Sequence, residues 1–107
     1  MVNGQKHLLE FGPFRVDCDE RLLLRNGEVV PLAPRVFDTL LLLARNSGHA
    51  LEKDALMKEL WPDTFVEEVN LAQHISLLRK ALGESPTKPQ YIETIPRRGY
   101  RFLALVG

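Results

Sequence analysis

Apolar and polar positions come in short bursts over the first third of the chain and then switch to a helical rhythm. The runs "LLEFGPFRVD", "RLLLRNG" and "EVVPL" carry β-like patterning with turn residues between them. Gly12-Pro13 breaks the first run, and Asn26-Gly27 joins the second to the third as a two-residue hairpin signal. The pattern predicts a small antiparallel sheet of three or four strands over residues 8–33. In "FRVDC", Phe14 and Val16 share one face, while Arg15 and Asp17 take the other. Met1 to His7 is polar and is expected to be a disordered tail ahead of a domain over 8–106.

Pro34 then opens a helix, because a first turn needs no N–H from it. Val36, Phe37, Leu40, Leu41, Leu43 and Ala44 recur at helical spacing until Asn46-Ser47-Gly48 stops them. "HAL", residues 49–51, reads as an extended link. A second helix is expected over Lys53–Leu60, with Asp54 well placed in its first turn and Pro62 behind its end. A third spans Glu67–Leu82 and stops at Gly83. Its acidic start (Glu67, Glu68) and basic end (Arg79, Lys80) both complement the helix dipole. A loop with Pro86 and Pro89 follows, then a closing hairpin of Tyr91–Ile95 and Tyr100–Val106, with Gly99 expected to let its turn close.

The third helix has two faces. Leu71, Ile75, Leu78 and Leu82 form one stripe, directed to the core. The opposite face holds Val69, Gln73, Ser76, Leu77 and Lys80, with Asn70 and Ala72 to either side and His74 and Arg79 on the flanks. An amide, a hydroxyl, a cation and two apolar groups suit the edges of base pairs in a major groove. A solvated surface helix would look similar, except that Leu77 on the outer face calls for a partner. The order sheet, three helices, basic hairpin describes an α+β winged helix-turn-helix: an N-terminal antiparallel sheet, a three-helix core and a C-terminal hairpin wing.

Charge sharpens this picture. The net charge is zero, but residues 1–68 hold 8 of 14 cations and 12 of 14 anions, leaving residues 69–107 at +4. That asymmetry points the C-terminal part toward a polyanion. With 107 residues, 45% apolar, the chain is one globular domain. Its longest apolar run, Thr39 to Ala44, is far below the roughly 20 residues that span a bilayer, and no export signal opens the sequence. Cys18 stands alone, which suits a reducing compartment, and is expected to be a half-buried strand residue.

Chemistry of other kinds is poorly supported. His7, His49 and His74 lie far apart and share no metal-ligand spacing with Cys18, so no metal and no cofactor are expected. There is no glycine-rich phosphate loop, no nucleophile beside a histidine and no close carboxylate pair in an apolar setting, so no enzyme is expected. Asp17, Asp19 and Glu20 read as a solvated turn.

"FGPFRVD", "PLAPRVFDTLLLLARNSG", "HISLLRKALGE" and "YIETIPRRGYRF", in this order, resemble the OmpR/PhoB-type winged-helix DNA-binding domain over residues 8–106. The "PDTFVEEVNLAQHISLLRKALGE" and "IPRRGYRF" segments are most similar to CadC-like one-component regulators, in which the domain is fused to a sensor. The resemblance implies sequence-specific binding of double-stranded DNA for transcription regulation, with the third helix in the major groove and the wing on the minor groove or backbone. It carries contact roles over to Val69, Asn70, Gln73, His74, Ser76, Leu77, Arg79 and Lys80 on the helix, and to Thr94, Arg97 and Arg98 on the wing.

The same resemblance matches Trp61, Pro62, Asp63, Thr64 and Phe65 to a loop that touches RNA polymerase in some relatives. It also implies homodimers on repeated half-sites, and a cytoplasmic domain that itself makes no membrane contact, whether or not the parent protein is anchored. Val69 and Leu77 stand where several relatives carry arginine. The competing reading is a protein-interaction module of the same fold, docking RNA polymerase or a second copy through Val69, Leu77 and "WPDTF". Trp61 and Phe65, by contrast, read from sequence as core plugs between the second and third helices.

Overall fold

A computed structural model describes residues 7–84 and 87–107; residues 1–6 of the expected tail and Pro86 of the expected loop lie outside these. The elements run β1 (Leu8–Phe11), β2 (Phe14–Asp17), β3 (Leu22–Arg25), β4 (Glu28–Val30), α1 (Pro34–Arg45), β5 (Ala50–Glu52), α2 (Lys53–Leu60), α3 (Glu68–Leu82), β6 (Ile92–Ile95) and β7 (Gly99–Phe102). The three helices fall where periodicity and proline or glycine punctuation place them. Gly83 takes a left-handed φ of 73° and its N–H caps the end of α3.

The N-terminal sheet is an antiparallel meander, β1-β2-β3-β4, and Phe14, Val16 and Leu23 of its inner face are buried. The His7 carbonyl extends it by accepting from the Cys18 N–H at 2.9 Å. Cys18 is half-buried, in the turn after β2 rather than within a strand. Asp17 also departs from expectation. It is 6% exposed, and its Oδ1 accepts from the N–H groups of Asp19 (3.1 Å) and Glu20 (2.9 Å), so it caps the turn from inside.

The second sheet has the order β5-β7-β6. The expected link at 49–51 is therefore largely a strand: Ala50, Leu51 and Glu52 pair with Arg101, Tyr100 and Gly99. The return strand of the hairpin ends at Phe102, short of the expected Val106. Beyond it the chain crosses to β1, where Glu10 and Gly107 exchange two backbone hydrogen bonds of 3.0 and 2.9 Å.

One core joins both sheets to α1 and α3. Phe11 lies 5.4 Å from Phe14, 5.6 Å from Tyr91 and 5.0 Å from Phe102, ring centre to ring centre, so the base of the wing is packed into the N-terminal sheet. Leu71, Ile75, Leu78 and Leu82 are all buried, as the stripe requires. A satellite cluster of Leu56, Leu60 and Leu71 seats α2 on α3.

Candidate nucleic-acid interface

The outer face of α3 is open. Gln73, Ser76 and Lys80 are exposed, and so are Val69 and Leu77, at 56% and 51%. Across a cleft from the first half of this helix stands the wing tip, with Val69 and Ala72 on one wall and Thr94, Arg97, Arg98 and Tyr100 on the other. Lys53 and Glu68 also line it and form an ion pair of 2.9 Å.

The two wing arginines differ in kind. Arg98 is held from both ends: its carbonyl accepts from the Lys53 N–H at 2.8 Å, and its Nη2 donates to Glu52 Oε1 at 2.9 Å. Arg97 is exposed, with a φ of 66°, in the left-handed region that non-glycine residues avoid. Gly99, expected to close the turn, does something else. It lies in β7, and a Cβ there would stand 1.9 Å from the Leu51 carbonyl oxygen. Gly99 is thus needed for the close approach of β5, and the turn's unfavourable conformation falls on an arginine.

Three helix residues are engaged inside the protein. Arg79 Nη2 donates to the Ile92 carbonyl (2.9 Å) and to Thr94 Oγ1 (2.8 Å), clamping α3 to the wing. Asn70 is half-buried and its Nδ2 turns back to the Glu67 carbonyl at 3.3 Å. His74 is half-buried, 5.1 Å from the Trp61 ring, with Nδ1 3.2 Å from Thr39 Oγ1. The Thr39 hydroxyl donates its proton to the Arg35 carbonyl, so it can only accept from the histidine, and Nδ1 carries the hydrogen. Burial first, then the charge of Arg35, lowers the His74 pKa from its ordinary 6.5.

The segment before α3 corrects the sequence reading. Trp61 is half-buried against α3, but Phe65 is 91% exposed and plugs nothing. Pro62, Asp63 and Thr64 are exposed beside it. Two features were missed altogether. Arg35, at the start of α1, shares an open cleft with Asn70, His74 and Phe65. Glu84 is buried just beyond α3, and its Oε1 accepts from the N–H groups of Tyr91 (2.9 Å) and Ile92 (3.1 Å), tying the end of α3 to the start of the wing.

Residues 27–102 match the family described as transcriptional regulatory protein, C terminal. The chain belongs to this family. Among its relatives, the transcriptional activator CadC of Escherichia coli is 34% identical over 103 residues, covering 95% of this chain and 20% of CadC. The sensory transduction protein RegX3 of Mycolicibacterium smegmatis is 34% identical over 95 residues, 88% of this chain and 42% of RegX3. The chain therefore spans less than half of these relatives. The fold agrees: the DNA-binding domain of Escherichia coli CadC superposes with a TM-score of 0.81 at 33% identity, covering 95% of this chain and 97% of that one. The DNA-binding domain of Klebsiella pneumoniae RstA, solved in complex with the RstA box, gives 0.79 at 32% identity, covering 90% and 96%. The winged helix-turn-helix is thus the fold of this family of transcription regulators. No described helix is long and apolar enough to cross a membrane.

Proposed function

We propose that this domain binds double-stranded DNA sequence-specifically to regulate transcription, with α3 in the major groove and the β6–β7 wing on the neighbouring backbone or minor groove. The observation that carries this is the exposed, left-handed Arg97, which lines one cleft with Val69 and Ala72 of α3. A charged residue held at the exposed wing tip in a conformation where glycine would sit more easily supports a functional role there. The RstA domain, solved in complex with the RstA box, supports DNA binding by a chain of this fold.

Roles follow from what each side chain is free to do. Lys80 and Arg97 meet phosphates or the minor groove, and Arg98 adds charge from a braced position. Val69, Gln73, Ser76 and Leu77 face base edges. Arg79, Asn70 and His74, expected from the resemblance as contacts, act as positioning residues, and Thr94 receives Arg79. Titrating binding against salt tests this. Arg97→Ala should weaken all sequences and flatten the salt dependence, whereas Gln73→Ala should alter sequence preference. An unchanged salt slope for Arg97→Ala would remove the wing assignment.

A second reading concerns the Trp61–Phe65 loop. A phenylalanine 91% exposed, lining a cleft with Trp61 and Val66, offers an apolar contact surface. RNA polymerase is the partner expected for it from the family resemblance. Phe65→Ser should leave DNA affinity intact and reduce activated transcription; equal transcription by both proteins would end this reading.

A further inference from the structure

The reading face of α3 is chemically one-sided. In the major groove adenine offers a donor and an acceptor that suit an amide, thymine offers a methyl group, and guanine offers two acceptors that suit an arginine or a lysine. The exposed face supplies one amide, Gln73, one hydroxyl, Ser76, and two large apolar side chains, Val69 and Leu77, with the small Ala72 beside them. It supplies no guanidinium. Arg79, the one arginine of α3, is half-buried on the flank and bonded to Ile92 and Thr94. Lys80 sits in the last turn, so it serves one end of the face.

The spacing adds a second constraint. Val69, Gln73 and Leu77 follow i, i+4, i+8, which places them along one ridge with the amide midway. The apolar ends are about 12 Å apart along the helix axis, a distance matched by three to four base pairs at about 3.4 Å each.

We propose that the duplex this domain selects is A·T-rich at its core, with two thymine methyls set against Val69 and Leu77 and an adenine between them paired to Gln73. This rests on the DNA-binding reading above and names the base chemistry that the same face accepts. The proposed wing placement is compatible with it, because A·T tracts have a narrow, more negative minor groove that attracts an arginine such as Arg97.

The test begins with selection from a random duplex library using the 107-residue chain. The expected result is an A·T-rich core with two thymines about three to four base pairs apart. Replacing either thymine by deoxyuridine removes one methyl and changes no hydrogen bond; binding should weaken about fourfold at each position. In Leu77→Ala, the uridine opposite residue 77 should cause no further loss. A guanine-centred core, or equal binding of thymine and uridine duplexes, would overturn the proposal while leaving DNA binding in place. Absence of any enriched sequence would remove the underlying reading and the proposal with it.

Discussion

Arg98 Nη2 lies 2.9 Å from Glu52 Oε1, and the Arg98 carbonyl accepts from the N–H of Lys53, the residue after Glu52. One arginine of the wing tip is thereby a brace to β5, while its neighbour Arg97 is left to project. Both partners of the ion pair are more than half exposed, at 62% and 54%. A double-mutant cycle of Arg98→Ala with Glu52→Ala should therefore show a coupling below about 1 kcal/mol in folding stability. On the proposed docking, Glu52→Gln should tighten DNA binding at low salt, since it removes an anion next to the wing tip. A weaker complex would contradict the assigned geometry.

Arg97→Gly separates folding from function. Relief of the left-handed conformation is offset in part by the entropy of glycine in the unfolded chain, so stability should stay equal or rise by up to about 1 kcal/mol. DNA affinity should fall, and the slope of log affinity against log salt should shrink by about 0.9, one phosphate contact. Urea denaturation and a salt titration on the same protein check both halves.

Gly99→Ala should act through packing. Its Cβ would meet the Leu51 carbonyl oxygen at 1.9 Å and the Lys53 nitrogen at 3.0 Å, both backbone atoms that cannot rotate away. We expect a loss of at least about 1–3 kcal/mol, and faster amide exchange at Leu51 and Tyr100 as β5 parts from β7.

Glu84→Ala leaves the N–H groups of Tyr91 and Ile92 without their acceptor in a buried setting. Losing such partners costs about 1–3 kcal/mol, visible as a lower urea midpoint. Glu84→Gln, which keeps one carbonyl oxygen, should recover part of it.

His74 makes stability depend on pH in a defined direction. Its folded pKa lies below the ordinary 6.5, because burial and Arg35 disfavour the imidazolium. Between the two values the unfolded chain binds more protons, so stability rises with pH there. This contribution is complete above 6.5 and is lost as the solution is acidified toward the folded value. Chemical denaturation between pH 5 and 7.5 should show a drop for the native sequence and a smaller one for His74→Gln.

The helices were legible in the sequence because long apolar stripes bounded by Pro34, Gly48, Pro62 and Gly83 leave few alternatives. The buried stripe of α3, and with it the exposed face, followed directly. What escaped depended on partners distant along the chain. β5 is three residues long with no alternation to reveal it, and it is a strand because β7 lies beside it. Asp17 and Glu84 carry side chains that ordinarily face water, and the N–H groups converging on them, distant or hidden in a turn, favour their burial. Phe65 was misplaced because an aromatic near Trp61 suggests a core, and nothing local says that α2 and α3 close without it. Gly99 was assigned to the turn because glycine usually serves there, whereas the left-handed residue is Arg97.

β7 occupies the middle of the second sheet, between the strand that enters α2 and the outer strand of the wing. The exposed face of α3 and the wing are tied together by the Arg79 clamp, and the wing in turn to β5 through Gly99. On the proposed docking, a duplex would have to match the spacing of helix and wing, and a substitution that shifts β5 would move both elements at once.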